Sequence, residues 1–375
     1  MRTGYVKSRW AIGNGQKREA INVIEVQRDL MMRRGELMRK GWRWWFLISL
    51  VCLFPWNIGC DKSGKVESHS LAASKGIVPA ITFGDKFYDV SAVGNGNVWV
   101  VGYYGAIVHS NDSGKTWSRQ DSGILNSLLG VAFVNEREGW VVGELGVVLH
   151  TKDGGVKWEK QQSPVPDQRL LKVKFVSERE GWAVGTYGVI LHTLDGGVHW
   201  EKLSFKEDVT LNDLVFLNSS EGWIVGEFET ILHTTDGGKS WQKQRTGKEG
   251  QLFGIGFRSP LSGVAVGTSG KILLTEDGGK SWKEIKSPTE DTLLQVKFHG
   301  QSQAIAIGLR GAVVGTEDGG KNWSLISLPQ HYTWLSGVAF TKEGVGYLVG
   351  DRGTIFVSNN GGKSWTPWMP FGKQG

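Results

Sequence analysis

Short runs of hydrophobic residues alternate with glycine-containing turns along most of the chain. In one segment, hydrophobic runs at residues 129–133, 140–143 and 147–151 are separated by turns at Glu138-Gly139 and Glu144-Leu145-Gly146. A DGG turn follows, and another run begins at Trp158. Short runs rich in Val, Ile, Leu and aromatic residues, bounded by turn residues, are typical of β-strands. The pattern therefore predicts four short strands in this segment.

The same four-strand pattern recurs along the chain, and each copy contains a similar turn sequence. The seven turns are SNDSGKTW (110–117), TKDGGVKW (151–158), TLDGGVHW (193–200), TTDGGKSW (234–241), TEDGGKSW (275–282), TEDGGKNW (316–323) and SNNGGKSW (358–365). Their tryptophans follow one another at intervals of 41 or 42 residues. Repeats of this length with four strands each are typical of a β-propeller. The sequence predicts an all-β, seven-bladed propeller of four-stranded blades over residues 81–370, as one domain.

The repeated turn has the form S/T-x-D-x-G-x-x-W, known as the Asp-box or BNR repeat. Its carboxylate can accept backbone N–H bonds inside the turn, its glycine supplies a positive φ, and its tryptophan fills apolar space beside the strands. We predict a structural role for Asp112, Asp153, Asp195, Asp236, Asp277, Asp318 and Asn360, and for Trp117, Trp158, Trp200, Trp241, Trp282, Trp323 and Trp365. Asparagine can form the same kind of turn, so the substitution in the last repeat keeps the fold.

The excess of basic residues and both cysteines lie in the first 60 residues. Residues 1–60 hold 11 Lys/Arg and 4 Asp/Glu, whereas residues 61–375 hold 32 and 33. A nearly neutral body lacks the basic footprint of a nucleic-acid-binding protein. Both cysteines precede residue 61, so the repeats contain no thiol nucleophile or thiolate metal ligand.

The segment 38–60 resembles an export signal. Arg39, Lys40 and Arg43 precede a short apolar run that ends at Pro55, and Cys60 follows small residues. We expect a signal or lipoprotein leader with Cys60 lipidated; a plain signal peptide and an uncleaved signal anchor remain alternatives. The basic flank predicts export, with later residues on the periplasmic or lumenal face of a membrane.

Two further segments flank this leader. Residues 1–37 form an N-terminal extension, either a misassigned start with Met38 as the true start or a cytoplasmic tail. Residues 61–80 are mostly polar and small, and are predicted to be a tether.

Two groups of polar residues look like chemical sites but occupy repeated positions. His109, His150, His192 and His233 fall at the same place in four repeats, so the ring would hold them too far apart for one metal ion. Pairs at Glu136/Glu138 and Glu178/Glu180 lie in equivalent first turns. No phosphate-binding motif is present in the sequence. We therefore predict no catalytic residue, metal or cofactor, and a protein that is not an enzyme.

A partner-binding surface is predicted at the turns between second and third strands, which read V-G-x-x-G with variable central residues. Arg310, Arg352, Tyr103 and Tyr104 come from neighbouring blades, and Arg and Tyr are enriched at binding hot spots. The candidate set is Arg310, Arg352, Tyr103, Tyr104, Tyr187, Phe228, and Tyr332 and Trp334 from the loop 329–337. The alternative is that these are solvated turn residues.

Seven repeats of the pattern GWxVGxxGxILHTxDGGxxW behind an exported leader resemble the photosystem II stability/assembly factor family. The resemblance covers residues 81–368 and implies a seven-bladed propeller that acts without catalysis. It further implies binding of an early reaction-centre polypeptide, notably the D1 precursor, through a basic patch whose best match here is Arg310 and Arg352. A monomeric ring is expected.

Other functions stay open from the sequence. One is a general cell-envelope propeller that binds a different protein. Another is an Asp-box glycoside hydrolase, although no nonrepeating carboxylate pair stands out. The strand that closes the ring also stays open, with residues 77–83 as a candidate contribution to the last blade.

Overall fold

A computed structural model describes residues 80–203, 205–244, 246, 250–329 and 334–368. The chain divides into two units, residues 1–74 and 75–375, and all of the described residues lie in the second unit. Within these ranges the regular elements are β-strands and single 3₁₀ turns. No helix in the described ranges has the length and hydrophobicity needed to cross a bilayer. The predictions for the extension, the leader, Cys60 and all but the last residue of the tether fall outside the described residues.

Each repeat folds into its own four-stranded sheet. Blade 1 consists of β1 (Phe87–Val93), β2 (Asn97–Gly102), β3 (Ile107–Ser110) and β4 (Ser118–Gln120). Blade 2 consists of β5 (Leu128–Phe133), β6 (Gly139–Gly143), β7 (Val148–Thr151) and β8 (Glu159–Lys160). Blade 3 consists of β9 (Leu170–Phe175), β10 (Gly181–Gly185), β11 (Ile190–Thr193) and β12 (Glu201–Lys202). Blade 4 consists of β13 (Leu211–Phe216), β14 (Gly222–Gly226), β15 (Ile231–Thr234) and β16 (Gln242–Gln244).

The remaining blades follow the same plan. Blade 5 consists of β17 (Leu252–Ser259), β18 (Ser262–Gly267), β19 (Ile272–Thr275) and β20 (Lys283–Glu284). Blade 6 consists of β21 (Leu293–His299), β22 (Gln303–Gly308), β23 (Val313–Thr316) and β24 (Ser324–Leu325). Blade 7 consists of β25 (Leu335–Phe340), β26 (Gly346–Gly350), β27 (Ile355–Ser358) and β28 (Thr366–Pro367). Single 3₁₀ turns occur at Tyr103–Gly105, Glu144–Gly146, Thr268–Gly270 and Asp351–Gly353.

The strands of each blade are antiparallel and lie in sequence order, with the first strand innermost. The inner strands of successive blades pack side by side, and β1 packs against β25 to complete the ring. The predicted all-β, seven-bladed propeller is confirmed. In blade 2 the strands begin and end within one residue of the predicted runs.

The ring closes without a strand exchanged between the two ends of the chain, since blades 1 and 7 are each built from consecutive strands. The described part of the 77–83 segment, residues 80–83, forms no strand. It contributes packing instead: Ile81 belongs to the hydrophobic cluster that contains Val349 and Ile355 of blade 7. At the opposite end, the Trp368 Nε1–H donates to the Lys115 carbonyl oxygen in blade 1, at 3.1 Å.

Seven hydrophobic clusters form the core, each centred on the contact between neighbouring blades. In blades 1–4 a second-strand tryptophan is fully buried between a histidine of its own blade and a phenylalanine of the next. Trp99, for example, stacks on His109 at 4.5 Å and on Phe133 at 3.6 Å between ring centroids. The four repeated histidines thus pack in separate interblade contacts.

The Asp-box turns have the hydrogen bonds expected of them. The Asp236 Oδ1 atom accepts bonds from the Thr234 hydroxyl at 2.8 Å and from the Ser240 N–H at 2.9 Å. The Thr234 Oγ1 atom in turn accepts the Gly238 N–H at 2.8 Å. In blade 7 the Asn360 Oδ1 atom accepts from the Ser364 N–H at 3.0 Å, so asparagine preserves this turn.

Candidate partner-binding face

The seven turns between second and third strands share one backbone geometry. The N–H of the first central residue bonds to the carbonyl oxygen just before the blade's inner strand, as Tyr103 does to Lys86 at 2.9 Å. The second central residue has a positive φ, 53° at Tyr104 and 56° at Arg352. This left-handed conformation turns the second side chain away from the blade. The first side chain is consequently half-buried in every blade and the second is exposed.

The exposed residues divide the face into two sectors. Blades 1–4 present large apolar or aromatic side chains, blade 5 presents Ser269, and blades 6 and 7 present arginines. The apolar arc consists of Tyr104, Leu145, Tyr187 and Phe228, which are 57%, 59%, 63% and 76% exposed. The basic pair consists of Arg310 and Arg352. Groups of exposed apolar side chains on one face are a common feature of interaction sites.

Two loops before inner strands extend this apolar surface. Leu125, before β5, is 78% exposed, and Phe83, before β1, is 74% exposed. The Arg352 guanidinium carbon lies 5.3 Å from the centroid of the Phe83 ring. The basic pair is therefore continuous with apolar surface at the junction of blades 7 and 1.

Acidic neighbours partly balance the basic pair. The Arg310 Nη1 atom lies 3.2 Å from Asp291 Oδ1, and the Arg352 Nε atom lies 3.8 Å from Asp351 Oδ2. Both guanidinium groups remain exposed, because the Arg310 and Arg352 side chains are 83% and 58% accessible. An exposed, partly paired guanidinium can exchange its partner for a carboxylate of a bound protein at little cost.

The other candidates from the sequence occupy different environments. Tyr103 is half-buried beneath Tyr104, with ring centroids 4.2 Å apart. Trp334 is half-buried and pairs with Leu309 through a β-bridge. Tyr332 lies outside the described residues. Tyr103 and Trp334 therefore support the face from within, whereas Tyr104, Tyr187 and Phe228 form its surface.

The turn carboxylates are held by their own surroundings. The Arg169 Nη2 atom lies 2.9 Å from Glu144 Oε1, and Glu227 Oε2 accepts the Thr210 N–H at 2.7 Å. These contacts place the carboxylates at separate blades. Glu144 and Glu227 therefore do not form an acid–base pair with each other.

One residue that supports this face, Glu229, was not identified from the sequence. Blade 4 has Glu229 where the other six turns have glycine, and Glu229 adopts the positive φ, 49°, that glycine favours. Its side chain is buried, with the residue 4% exposed. Its carboxylate is ion-paired with Lys271 of blade 5 and accepts a bond from the Thr246 hydroxyl. The break in the V-G-x-x-G frame was the available signal. The buried pair fixes the turn that carries Phe228, the most exposed member of the apolar arc.

The sequence of this propeller matches a known protein family. The model of the photosynthesis system II assembly factor YCF48 family matches residues 121–209, 161–254 and 240–334, which together span more than half of the chain. The chain belongs to this family. The predicted membership is thereby confirmed, and the YCF48 family's role as an assembly factor supports a binding scaffold of that kind.

Solved structures with the same fold include two YCF48 proteins. One, described as YCF48 bound to D1 peptide, is 22% identical with a TM-score of 0.62, covering 73% of this chain and 91% of the other. YCF48 from Cyanidioschyzon merolae is 19% identical with a TM-score of 0.61, covering 72% and 94%. A GH74 xyloglucanase from Xanthomonas campestris is 14% identical with a TM-score of 0.63, covering 76% and 54%. A search of curated protein sequences gave no match.

Proposed function

We propose that this YCF48-family propeller is a non-catalytic scaffold that binds a photosystem II reaction-centre polypeptide and aids its assembly. The family match supports the assembly role, and a similar propeller is known bound to a D1 peptide. The single observation that carries the choice of surface is the apolar arc, in which four successive blades expose a large side chain at the same turn position. The arc binds apolar side chains of the polypeptide, and the basic pair binds its acidic residues.

The chemistry of this face fits an extended polypeptide. Tyrosine supplies much contact area for little loss of conformational entropy, and tyrosine and arginine are enriched at binding hot spots. Their turns are rigid because each is hydrogen-bonded to the start of an inner strand. A preorganised surface loses little entropy on binding.

We further propose that the propeller acts at the periplasmic or lumenal face of a membrane, anchored through a lipid on Cys60. The leader sequence supports this placement. A lipid anchor would concentrate the propeller near membrane-embedded polypeptides. Changing Cys60 to Ser should release the chain from the membrane fraction and abolish incorporation of a radiolabelled fatty acid. Retention of both properties would contradict lipidation at Cys60.

The binding proposal is tested with a D1 peptide and the full-length chain by isothermal titration calorimetry. Changing Tyr104, Tyr187 and Phe228 together to Ser should weaken binding at least tenfold. Changing Arg310 and Arg352 together to Glu should weaken it by a similar factor, and this effect should shrink at high salt because exposed charges are screened.

A matched control lies on the opposite face, in the Asp-box turns. Val156, Leu194 and Val198 are 87%, 61% and 62% exposed. Changing these three to Ser removes exposed apolar side chains from the opposite face and should leave D1 peptide binding unchanged. Equal losses in both triple variants would contradict the assignment of the face. Crosslinking in native membranes that captures a different envelope complex, and no reaction-centre polypeptide, would contradict the photosystem partner.

A further inference from the structure

The inner strands place polar side chains inside the central channel. Asp89 is the third residue of β1, and Lys172 and Gln295 occupy the same position in β9 and β21. The Asp89 Oδ1 atom lies 2.7 Å from Lys172 Nζ and accepts a bond from Gln295 Nε2 at 3.4 Å. These residues come from blades 1, 3 and 6, which are not neighbours. Their side chains therefore meet on the ring axis.

A second level lies two residues further along the inner strands, about 7 Å toward the Asp-box face. Five of its seven residues are small: Ser91, Ala132, Val215, Gly256 and Ala339. The other two are Lys174 of blade 3 and Lys297 of blade 6. Lys174 and Lys297 are therefore the two long, charged side chains at this level of the inner strands.

Neither lysine has a partner of its own among the described residues, which include no acceptor in hydrogen-bond or ion-pair contact with Lys174 or Lys297. The charge of Lys297, followed by burial, lowers the pKa of Lys174 to about 8 against the opposing charge of Asp213. Burial of its ammonium group lowers the pKa of Lys297 as well, against the charges of Asp213 and Asp89, although the residue as a whole is exposed. The charge of Lys297 thus acts on Lys174, and neither ammonium group is in direct contact with a carboxylate among the described residues.

The carboxylates in the channel are already engaged. Asp89 pairs with Lys172. Asp213 accepts the backbone N–H of Leu214 at 2.9 Å and that of Ile255 at 3.0 Å. Among the described residues, these two levels of the inner strands hold three lysines against two aspartates, and the unmatched positive charge lies at the level of Lys174 and Lys297.

We propose that Lys174 and Lys297 bind a small oxyanion of the phosphate class inside the central channel. The oxyanion would lie between the two ammonium groups and accept a charge-assisted hydrogen bond from each. It would neutralise their repulsion and link blade 3 to blade 6 across the ring. This site is separate from the partner-binding face and does not depend on the proposed function.

The test is calorimetric titration of the full-length chain with inorganic phosphate at constant ionic strength, balanced with chloride. The expected result is saturable binding of one phosphate. Lys174→Gln and Lys297→Gln should each weaken it at least tenfold. Lys160→Gln, at an exposed position on the outer strand of blade 2, is the matched control and should bind as the unaltered chain does. Absence of saturable binding, or equal binding by all variants, would overturn the proposal.

A measurement on the unaltered chain avoids any folding defect of the variants. Limited acetylation with an amine-reactive reagent, read out residue by residue by mass spectrometry, reports the accessibility of each lysine. Phosphate should protect Lys174 and Lys297 at least several-fold and leave Lys160 unprotected. Equal modification of Lys174 and Lys297 with and without phosphate would overturn the site whatever the variants do.

Discussion

Trp140 of blade 2 lies face to face with Phe175 of blade 3, with ring centroids 3.5 Å apart and planes 8° apart. On its other side the indole stacks on His150 at 4.7 Å, and its Nε1–H donates to the Gly196 carbonyl oxygen at 2.9 Å. One side chain thus joins two blades by stacking and by a hydrogen bond into the next Asp-box turn. The stacking recurs in blades 1–4 and the hydrogen bond in blades 1–3, since the buried Trp223 Nε1–H has no acceptor among the described residues. Val264, Ile305 and Tyr347 occupy the position in blades 5–7.

Blades 5–7 lack the second-strand tryptophan, and the packing beside blade 6 differs accordingly. A cleft of about 710 Å³ opens beside blade 6, lined by Ile305, Gly315 and Gly362 among others. Here His299 of blade 6, rather than a tryptophan, stacks on Phe340 at 3.9 Å. At the interface between blades 6 and 7 a histidine–phenylalanine stack beside a cleft therefore takes the place of the buried tryptophan of blades 1–4.

Replacement of Trp140 by Ala should destabilise the propeller by about 3–5 kcal/mol, because it removes a fully buried aromatic side chain and leaves a cavity. Denaturant unfolding followed by circular dichroism measures the loss. Phe228→Ala is the control, since Phe228 is 76% exposed and its removal should change the unfolding free energy by less than about 0.5 kcal/mol. Similar losses for the two variants would contradict the role of the stack.

Gly146 is required by both its conformation and its surroundings. Its φ is +61°, and a Cβ atom would lie 2.2 Å from the Val165 carbonyl oxygen. Gly146→Ala should therefore cost about 2–3 kcal/mol of unfolding free energy. Gly123→Ala isolates the contribution of the contact, because Gly123 has a similar φ of +68° with nothing within 4 Å of its Cβ position. The control should lose only about 1 kcal/mol. Equal losses would show that conformation alone decides.

Asn360→Asp should stabilise blade 7 at neutral pH. In the equivalent turn, bonds from the Ser240 hydroxyl and N–H lower the pKa of Asp236 to about 2. A carboxyl whose folded-state pKa lies below its ordinary value contributes stability above that ordinary value, and loses it as pH falls through the folded pKa. The gain, at most about 1 kcal/mol, should thus be present at pH 7 and vanish between about pH 4 and pH 2. Thermal melts at pH 7, 4 and 2.5 check it, and a pH-independent gain would contradict the charge-based explanation.

Asp213 should give the opposite pH dependence. Burial raises its pKa to about 6, against the charge of Lys172 and the Ile255 N–H. The folded state then takes up a proton that the unfolded state releases, so this group lowers stability as pH rises from about 4 through about 6. As pH rises from 4.5 to 7, the unfolding free energy of Asp213→Asn should therefore increase by about 1–3 kcal/mol relative to that of the unaltered chain.

Denaturant midpoints at the two pH values measure this difference. Asp89, Lys172, Lys174 and Lys297 also face the channel. Asp213 raises the pKa of Lys174 and of Lys297, so its removal lowers both; the comparison therefore ends at pH 7, below the pKa of about 8 of Lys174. The hydrogen bond lost on introducing an amide adds an offset that does not vary with pH. A stability difference that stays constant from pH 4.5 to pH 7 would contradict the raised pKa of Asp213.

The repeat period was sufficient to predict the architecture from the sequence alone. Each blade is built from consecutive strands, and a residue such as Trp158 contacts only its own blade and the adjoining one. The turn chemistry was equally local: Asn360 accepts the bond from Ser364 as its amide oxygen allows. The sequence did not predict that Tyr104 is exposed while Tyr103 is half-buried, because this difference depends on the left-handed backbone at the second turn position.

The sequence by itself determined the number of blades, their strand order and the turn residues, since all of these depend on contacts close along the chain. Only the tertiary structure decided which side chains meet on the ring axis. Asp89 and Lys172 are separated by two blade steps, and Lys174 and Lys297 by three. Closure of the ring brings them together, and a linear period does not say which inner-strand side chains will face one another across the channel.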